Sequence, residues 1–288
     1  MADLVPVTES MFEDIRPVLE TFKSPPPDSP LWKGLLSPPW PVEEDYRGYA
    51  LMEKGRAVGF IGLIFSRREI GGRIEKFCNV SSIVTTEEHR HESMALIKPL
   101  LQLKDYTITN FTPTPAVSAI LGRLGFEVLD ETMHILLPVP GWSRSTDAPK
   151  GRYRLITRDE EIRERLEGRD RDIFDHHRLP HCWHLLIAGD EGHCHVVFNR
   201  TKGRKYSFSF VHHLSNPAIF FANLNRVKLA MFRKSGTPFI MVMDRHVKGR
   251  SLGRTRTSSV RHPAIFKSST LKREQIDSLY SELILLNL

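Results

Sequence analysis

Between Ala57 and Thr85 the chain runs AVGFIGLIFSRREIGGRIEKFCNVSSIVT, two long apolar stretches meeting at Gly71-Gly72. Adjacent glycines accept the left-handed backbone of a tight turn, so the pair reads as an antiparallel hairpin. A helix-like run (HESMALIKPLLQL) follows, and then a third strand-like run (YTITNF). Strand, helix, strand is a crossover, and a crossover lays its two strands parallel. A chain holding both features is committed to a mixed sheet with helices on its faces.

The surrounding sequence extends this pattern. LVPV, YALMEK and FEVLDE read as further strands, and MFEDIRPVLETF and PAVSAILGRLG as helices. Pro99, within the crossover helix, is expected to kink it or to delay its start. After residue 150 a similar order returns: WHLLIA, HCHVVFNR and KYSFSFVHHL as strands, NPAIFFANLNRVKLAMFRK as a helix, and PFIMVMDR as a strand. These elements trail their first-half counterparts by roughly 130 residues, which suggests a duplicated fold. The expected class is α/β, a mixed and mostly antiparallel sheet flanked by helices, present twice. Two Pro-rich stretches interrupt it. Ser24 to Pro41 reads as an extended loop carrying Trp32 and Trp40, because proline fixes φ and removes a backbone donor. Pro138 to Gly151 is polar with Pro and Gly at both ends, and reads as a linker. The expected organisation is a first domain at 1–140, a linker at 141–151 and a second domain at 152–288.

A length of 288 residues suits one large domain or two modest ones. There is no basic start leading into an apolar core, and no apolar run approaches the roughly 20 residues of a membrane span, so a soluble, cytoplasmic protein is expected. Cys78, Cys182 and Cys194 are too few for a disulfide framework. The net charge of +7 favours anionic partners. From Arg245 to Arg273 no acidic residue occurs. That stretch reads either as a solvated basic loop or as a grip on an anion such as nucleic acid.

Two blocks carry chemistry. One is Glu87 to Leu96 (EEHRHESMAL), a turn opening with arginine between strand and helix; the other is Thr109 to Phe126 (TNFTPTPAVSAILGRLGF). The first amides of a helix lack internal partners and, with the helix dipole, attract anions. Phosphate turns are usually glycine-rich, and this one has no glycine. Ser93 crowds the approach but offers a hydroxyl, Arg90, His89 and His91 supply positive charge, Ala95 stays small, and Glu92 opposes. The bland reading is that Glu87, Glu88 and Glu92 merely complement a helix start.

With these blocks and this element order, the first half resembles the GNAT acyltransferase superfamily, and the second half is a weaker copy. The resemblance rests on Arg90-His91-Glu92-Ser93-Met94-Ala95, where the family carries Arg-x-x-Gly-x-Gly/Ala, and on the Asn-ended strand, small-residue helix start and closing Leu-Gly-Phe of the second block. It implies an acetyl-CoA or other acyl-CoA donor lying where SSIVT and TITNF splay apart. Main-chain groups near Ile83, Val84 and Thr85 would hold the pantetheine and thioester. The pyrophosphate would lie on Arg90, His91, Glu92, Ser93, Met94 and Ala95, with Asn110 and Ser118 on the second side. The acceptor would be a small-molecule or sugar amine, an amino acid, a polyamine or a protein. Family members often protonate the leaving thiolate from a tyrosine, and the matching position here is Leu121. Ser81 and Ser82, in an unusually polar strand, are then the candidate substrate or water contacts, and with Asn110 the expected catalytic set. By the two-residue period Cys78, Val80, Ser82 and Val84 share one face, and Asn79, Ser81 and Ile83 the other.

Trp32, Trp40, Tyr46 and Tyr49 are candidates for the acceptor wall or for core. The second half is rich in histidine. Cys182, His184, His193 and His195 are the ligand set that spacing alone suggests, but no HExxH or paired CxxC supports it, and no metal is expected. The rival to an enzyme is a degenerate pair of such domains that holds an anionic partner through the basic segment.

Overall fold

The computed structural model describes residues 2–26, 28–138, 151–203, 205–247, 250, 252 and 255–288. The chain forms two compact units, one of residues 1–129, 262–276 and 280–288, the other of residues 130–261 and 277–279.

The first unit begins with β1 (Asp3–Pro6) and α1 (Phe12–Leu19), whose Ile15, Val18 and Leu19 are buried. The Pro-rich stretch is more regular than expected. Pro30 to Leu35 form a 3₁₀ helix opened by the Ser29 hydroxyl, which accepts the Leu31 amide, and Trp32 and Leu35 are buried on it. Proline at the first helical position forfeits only an N–H that had no partner. β2 (Gly48–Glu53), β3 (Arg56–Ile70) and β4 (Arg73–Thr85) follow as an antiparallel meander, with Gly71 and Gly72 both at positive φ in the last turn. A 3₁₀ turn at Arg90–Glu92 leads into α2 (Ser93–Ile97), and Pro99 ends it in a second 3₁₀ stretch, Lys98–Gln102. β5 (Tyr106–Asn110) then pairs parallel with β4, as a crossover requires. α3 (Pro115–Arg123), capped by Thr114, and β6 (Glu127–Val128) complete this passage.

In the second unit come β7 (Thr132–Leu136), β8 (Tyr153–Ile156), α4 (Asp159–Arg165), α5 (Gly168–His176), β9 (Cys182–Gly189), β10 (Gly192–Lys202) and β11 (Ser207–Leu214). The single long helix expected next is divided at Asn223 into α6 (Pro217–Ala222) and α7 (Leu224–Ser235). β12 (Phe239–Met243), α8 (Asp244–Val247) and β13 (Thr255–Ser259) follow. The chain then returns to the first unit with β14 (Ile265–Lys267) and α9 (Glu282–Leu285).

Each sheet has seven strands. The orders are β1-β2-β3-β4-β5-β14-β6 and β8-β9-β10-β11-β12-β7-β13, so the two agree place by place and the fold is duplicated. In both, the fourth and fifth strands are parallel and their neighbours antiparallel. The sixth places are exchanged. β14, from beyond the second unit, pairs with β5 and β6, while β7, from before the linker, pairs with β12 and β13. Residues 262–276 and 280–288, expected with the second domain, therefore belong to the first, and Thr132–Leu136 to the second. The linker expected at 141–151 lies outside the described residues except Gly151.

β4 departs from regular alternation where it matters. Phe60 faces Val84 and Gly62 faces Ser81, so Ile61 alone spans Ser82 and Ile83, and Ser82 has φ +52°. This is a β-bulge with a left-handed residue, and it re-aims the strand. Parallel pairing with β5 stops at Asn79↔Thr109, and β4 runs on to Thr85 without it. Opposite the bulge, Gly48 has φ +148°, and an added Cβ there would stand 2.0 Å from the Ile61 carbonyl oxygen. Gly48→Ala is expected to destabilise the protein by about 3 kcal/mol, read as a lowered denaturant midpoint. A wild-type midpoint would show that the strand yields freely.

Candidate active site

Beyond the Asn79↔Thr109 pair the parting strands leave a cavity of about 280 Å³ in the first unit. Ser81, Ser82, Ile83 and Asn110 line it, so the structure brings together four of the residues singled out in the sequence. Strict alternation would have sent Ser81 and Ser82 to opposite faces. The bulge brings both to the cavity, their hydroxyl oxygens 3.0 Å apart. Asn110 is buried and its Oδ1 accepts the Thr112 amide at 3.1 Å. Val117 contributes from α3, one residue from Ser118, which does not line the cavity. Val84 and Thr85 stand opposite Phe60 and Gly59 in the β3 ladder, outside the lining.

Trp32 joins the wall, its Nε1 donating to the Pro26 carbonyl at 3.0 Å. Trp40 does not; it is core, donating to the Phe65 carbonyl at 2.9 Å. Tyr46 and Tyr49 pack on each other with ring centroids 5.3 Å apart, against the core that holds Phe65. Leu121 is completely buried in that core. Cys78 is buried too, and desolvation pushes its thiol well above the usual range, which leaves it unreactive.

A residue not singled out in the sequence supplies the site's ionisable group. Glu282, at the start of α9, is buried and lines the cavity. Its amide donates to Asn79 Oδ1 at 3.1 Å, and the Asn79 amide group donates to Thr109, so Glu282 is fastened to the last pair before the strands part. The Thr112 hydroxyl and the Phe111 amide both donate to Oε1, at 3.0 and 3.3 Å. Oε2 is buried without a hydrogen-bond partner among the described residues. Desolvation outweighs the hydrogen bonds and raises this carboxyl from 4.5 to about 7. The only signal in the sequence was one carboxylate within LYSELILLNL, and on a short apolar helix that reads as a boundary residue.

The turn after β4 is closed. The amides of His89, Arg90 and Glu92 donate to the carbonyls of Thr86, Glu87 and His89, and the Ser93 amide to Arg90. Without glycine the segment has tightened into 3₁₀ geometry and spends its own donors. Its basic side chains have carboxylate neighbours as well: Arg90 beside Glu87 at 2.8 Å, His89 beside Glu53 at 3.5 Å, His91 beside Glu92 at 3.6 Å. Glu92 Oε2 also accepts the Ala2 amide at 2.9 Å. Met94 is half exposed and Ala95 packs partly against the core. None of residues 90–95 lines the cavity.

In the second unit the equivalent parting lies beyond Phe210↔Met241. Residues 277–279 fill it: the Ser278 amide donates to the His212 carbonyl at 3.4 Å, and His212 Nδ1 and the Ser278 hydroxyl share a 3.0 Å hydrogen bond. The basic segment from Arg245 is not one loop. Arg245 is buried against Asp130, and β13 and β14 enter different sheets. Among the described residues no helix is long and apolar enough to cross a membrane.

No protein-family model matches the chain, and no curated protein matches it. Solved structures do. A GCN5-related N-acetyltransferase from Kribbella flavida aligns with a TM-score of 0.58 and 14% identity, over 92% of this chain and 70% of that one. The fold is that of the GCN5-related N-acetyltransferases. A second such protein, from Anabaena variabilis ATCC 29413, gives 0.56 and 13% over 93% and 72%. Eis1 from Mycobacterium abscessus gives 0.52 and 14% over 93% and 73%.

Proposed function

We propose that the first unit transfers an acyl group from an acyl-CoA thioester to an amine, with Glu282 as the general base. The observation that carries this reading is a buried carboxyl, raised to about 7, in a cavity at the parting of β4 and β5. A base works best when its pKa lies near the working pH. An amine must lose a proton as its nitrogen forms the new bond to the thioester carbonyl carbon and the carbon–sulfur bond breaks. Glu282 Oε2 takes that proton, and the departing thiolate takes one from water, which the protonated Glu282 then replaces, so the amine's proton ends on the free thiol. Thiolate is a tolerable leaving group, so a core leucine at position 121 leaves the reaction feasible, and positioning supplies much of the rate.

The remaining roles follow the resemblance. Main-chain groups of Ile83, Val84 and Thr85 would hold the pantetheine and thioester, Asn110 and Ser118 would flank it, and Ser81 and Ser82 would orient the acceptor or a water. The cavity's small volume favours a small amine, such as an amino sugar, amino acid or polyamine. The pyrophosphate would meet the turn from Arg90 to Ala95, where it must compete with carboxylates already in place. Glu87→Gln releases Arg90 from its exposed pair and is expected to tighten acyl-CoA binding a few-fold at low salt, an effect that salt removes. Unchanged calorimetric affinity would place the phosphates elsewhere.

The rival reading, a scaffold gripping an anion through the basic segment, is weakened by the burial of Arg245 and by the sheet role of Ile265–Lys267. The deciding experiment is thiol release from acetyl-CoA with a panel of amino sugars, amino acids and polyamines. At least one amine is expected to accelerate release by wild type and not by Glu282→Gln. Release that no amine accelerates would reject N-acyl transfer.

A further inference from the structure

We propose that Asp170, His195 and His213, in the second unit, form a binding site for a divalent transition cation of the zinc class. They come from α5, β10 and β11, and one ligand atom from each lies within 4.8 Å of the others. His213 Nε2 stands 4.0 Å from Asp170 Oδ1. The two histidines are buried, at 0% and 4% exposure, yet His195 Nδ1 and His213 Nε2 have no hydrogen-bond partner among the described residues.

Their neighbours fix which nitrogen carries the proton. The His177 carbonyl can only accept, so His184 Nε2, 3.0 Å away, must donate. His184 Nδ1 is then an acceptor and takes the proton of His195 Nε2 at 3.0 Å, which leaves His195 Nδ1 as a bare lone pair. On the other side, His213 Nδ1 donates to Asp277 Oδ2 at 3.0 Å, so in the neutral ring the lone pair is on Nε2. Two imidazole lone pairs and a carboxylate converge, each imidazole anchored through its far nitrogen. The carboxylate on His213 anchors it as metal-binding imidazoles are commonly oriented, and His184, itself held by the His177 carbonyl, anchors His195. Asp170 Oδ2 remains with His193 at 2.9 Å, and Oδ1 stands toward His213.

A cation about 2.0–2.1 Å from each ligand atom would bring those atoms to roughly 3 Å of one another, within reach of small side-chain rotations. Three protein ligands leave at least one position for water or a substrate atom. The site shares no residue with the first unit's cavity, so it stands or falls independently of acyl transfer.

The test uses the full chain, stripped with a chelator and then loaded with Zn²⁺ or Co²⁺. One equivalent is expected to survive desalting, with Co²⁺ giving visible d–d bands of a nitrogen and oxygen site. Asp277→Asn should weaken binding by about 10- to 100-fold, and Asp170→Asn and His213→Gln by more. His262→Gln, an exposed histidine elsewhere, should change nothing. If the ligand variants fail to fold, X-ray absorption on the cobalt-loaded wild type must count two imidazoles. Failure of wild type to retain metal, retention undiminished in folded Asp170→Asn and His213→Gln, or a spectrum without two imidazoles would overturn the site.

Discussion

Glu282→Gln is expected to lower the rate of acyl transfer by about 10²- to 10⁴-fold while leaving donor binding near wild type. Glutamine keeps the shape and can still accept at Oε1 from Thr112 and Phe111, but it cannot take the amine's proton. In wild type the rate should rise with pH through about 7, where the carboxyl ionises, and this limb should vanish in the variant. Stability should move the opposite way. The folded carboxyl titrates at about 7 against 4.5 ordinarily, so between those values the native state holds more protons than the unfolded chain. Stability is therefore full below about 4.5, falls as pH rises, and levels off above about 7. The loss approaches about 3 kcal/mol, and Glu282→Gln should recover it at pH 8. A variant that is slow and also less stable at pH 8 would mean that the ionised carboxylate supports the fold.

Asp130→Ala is expected to cost about 3–5 kcal/mol, the largest stability effect of a single truncation in the second unit. Asp130 and Arg245 are each 2% exposed at the side chain. Asp130 accepts from the Arg245 guanidinium through Oδ2 and from the Arg245 amide through Oδ1 at 3.0 Å. Burial lowers the guanidinium's pKa to about 10, a measure of what its desolvation costs. Nε and Nη2 are buried without hydrogen-bond partners among the described residues, so removing Asp130 leaves a buried charge whose remaining electrostatic partner is Asp277. The double variant Asp130→Leu, Arg245→Met should be close to wild type in urea denaturation, because apolar replacement removes the desolvation along with the attraction. A loss under about 1 kcal/mol for Asp130→Ala would show that water reaches the pair.

Much of the fold was legible because local chemistry wrote it. Gly71-Gly72 set a hairpin, the apolar alternation set β2 to β5, and the crossover forced β4 and β5 parallel. The exchange of β7 and β14 was not legible, since a short strand carries no mark of which sheet will accept its edge. The bulge at Ser82 was hidden for a related reason: a serine at positive φ looks like any strand serine, and the two-residue period then misplaces its neighbour. Ser81 and Ser82, which line the cavity, were singled out because polar side chains in a buried strand need partners or a use, whereas Ile83 and Asn110 were named through the resemblance. Glu282 and the pairing of Asp170 with His195 and His213 required long-range contacts, over sequence separations that no local pattern reports.

Calorimetric titration of acetyl-CoA into the full chain tests acyl transfer at the parted strands most directly. One site per chain is expected, with a Kd in the roughly 1 µM to 1 mM range usual for substrates, and retained in Glu282→Gln. No binding heat up to millimolar donor would contradict it.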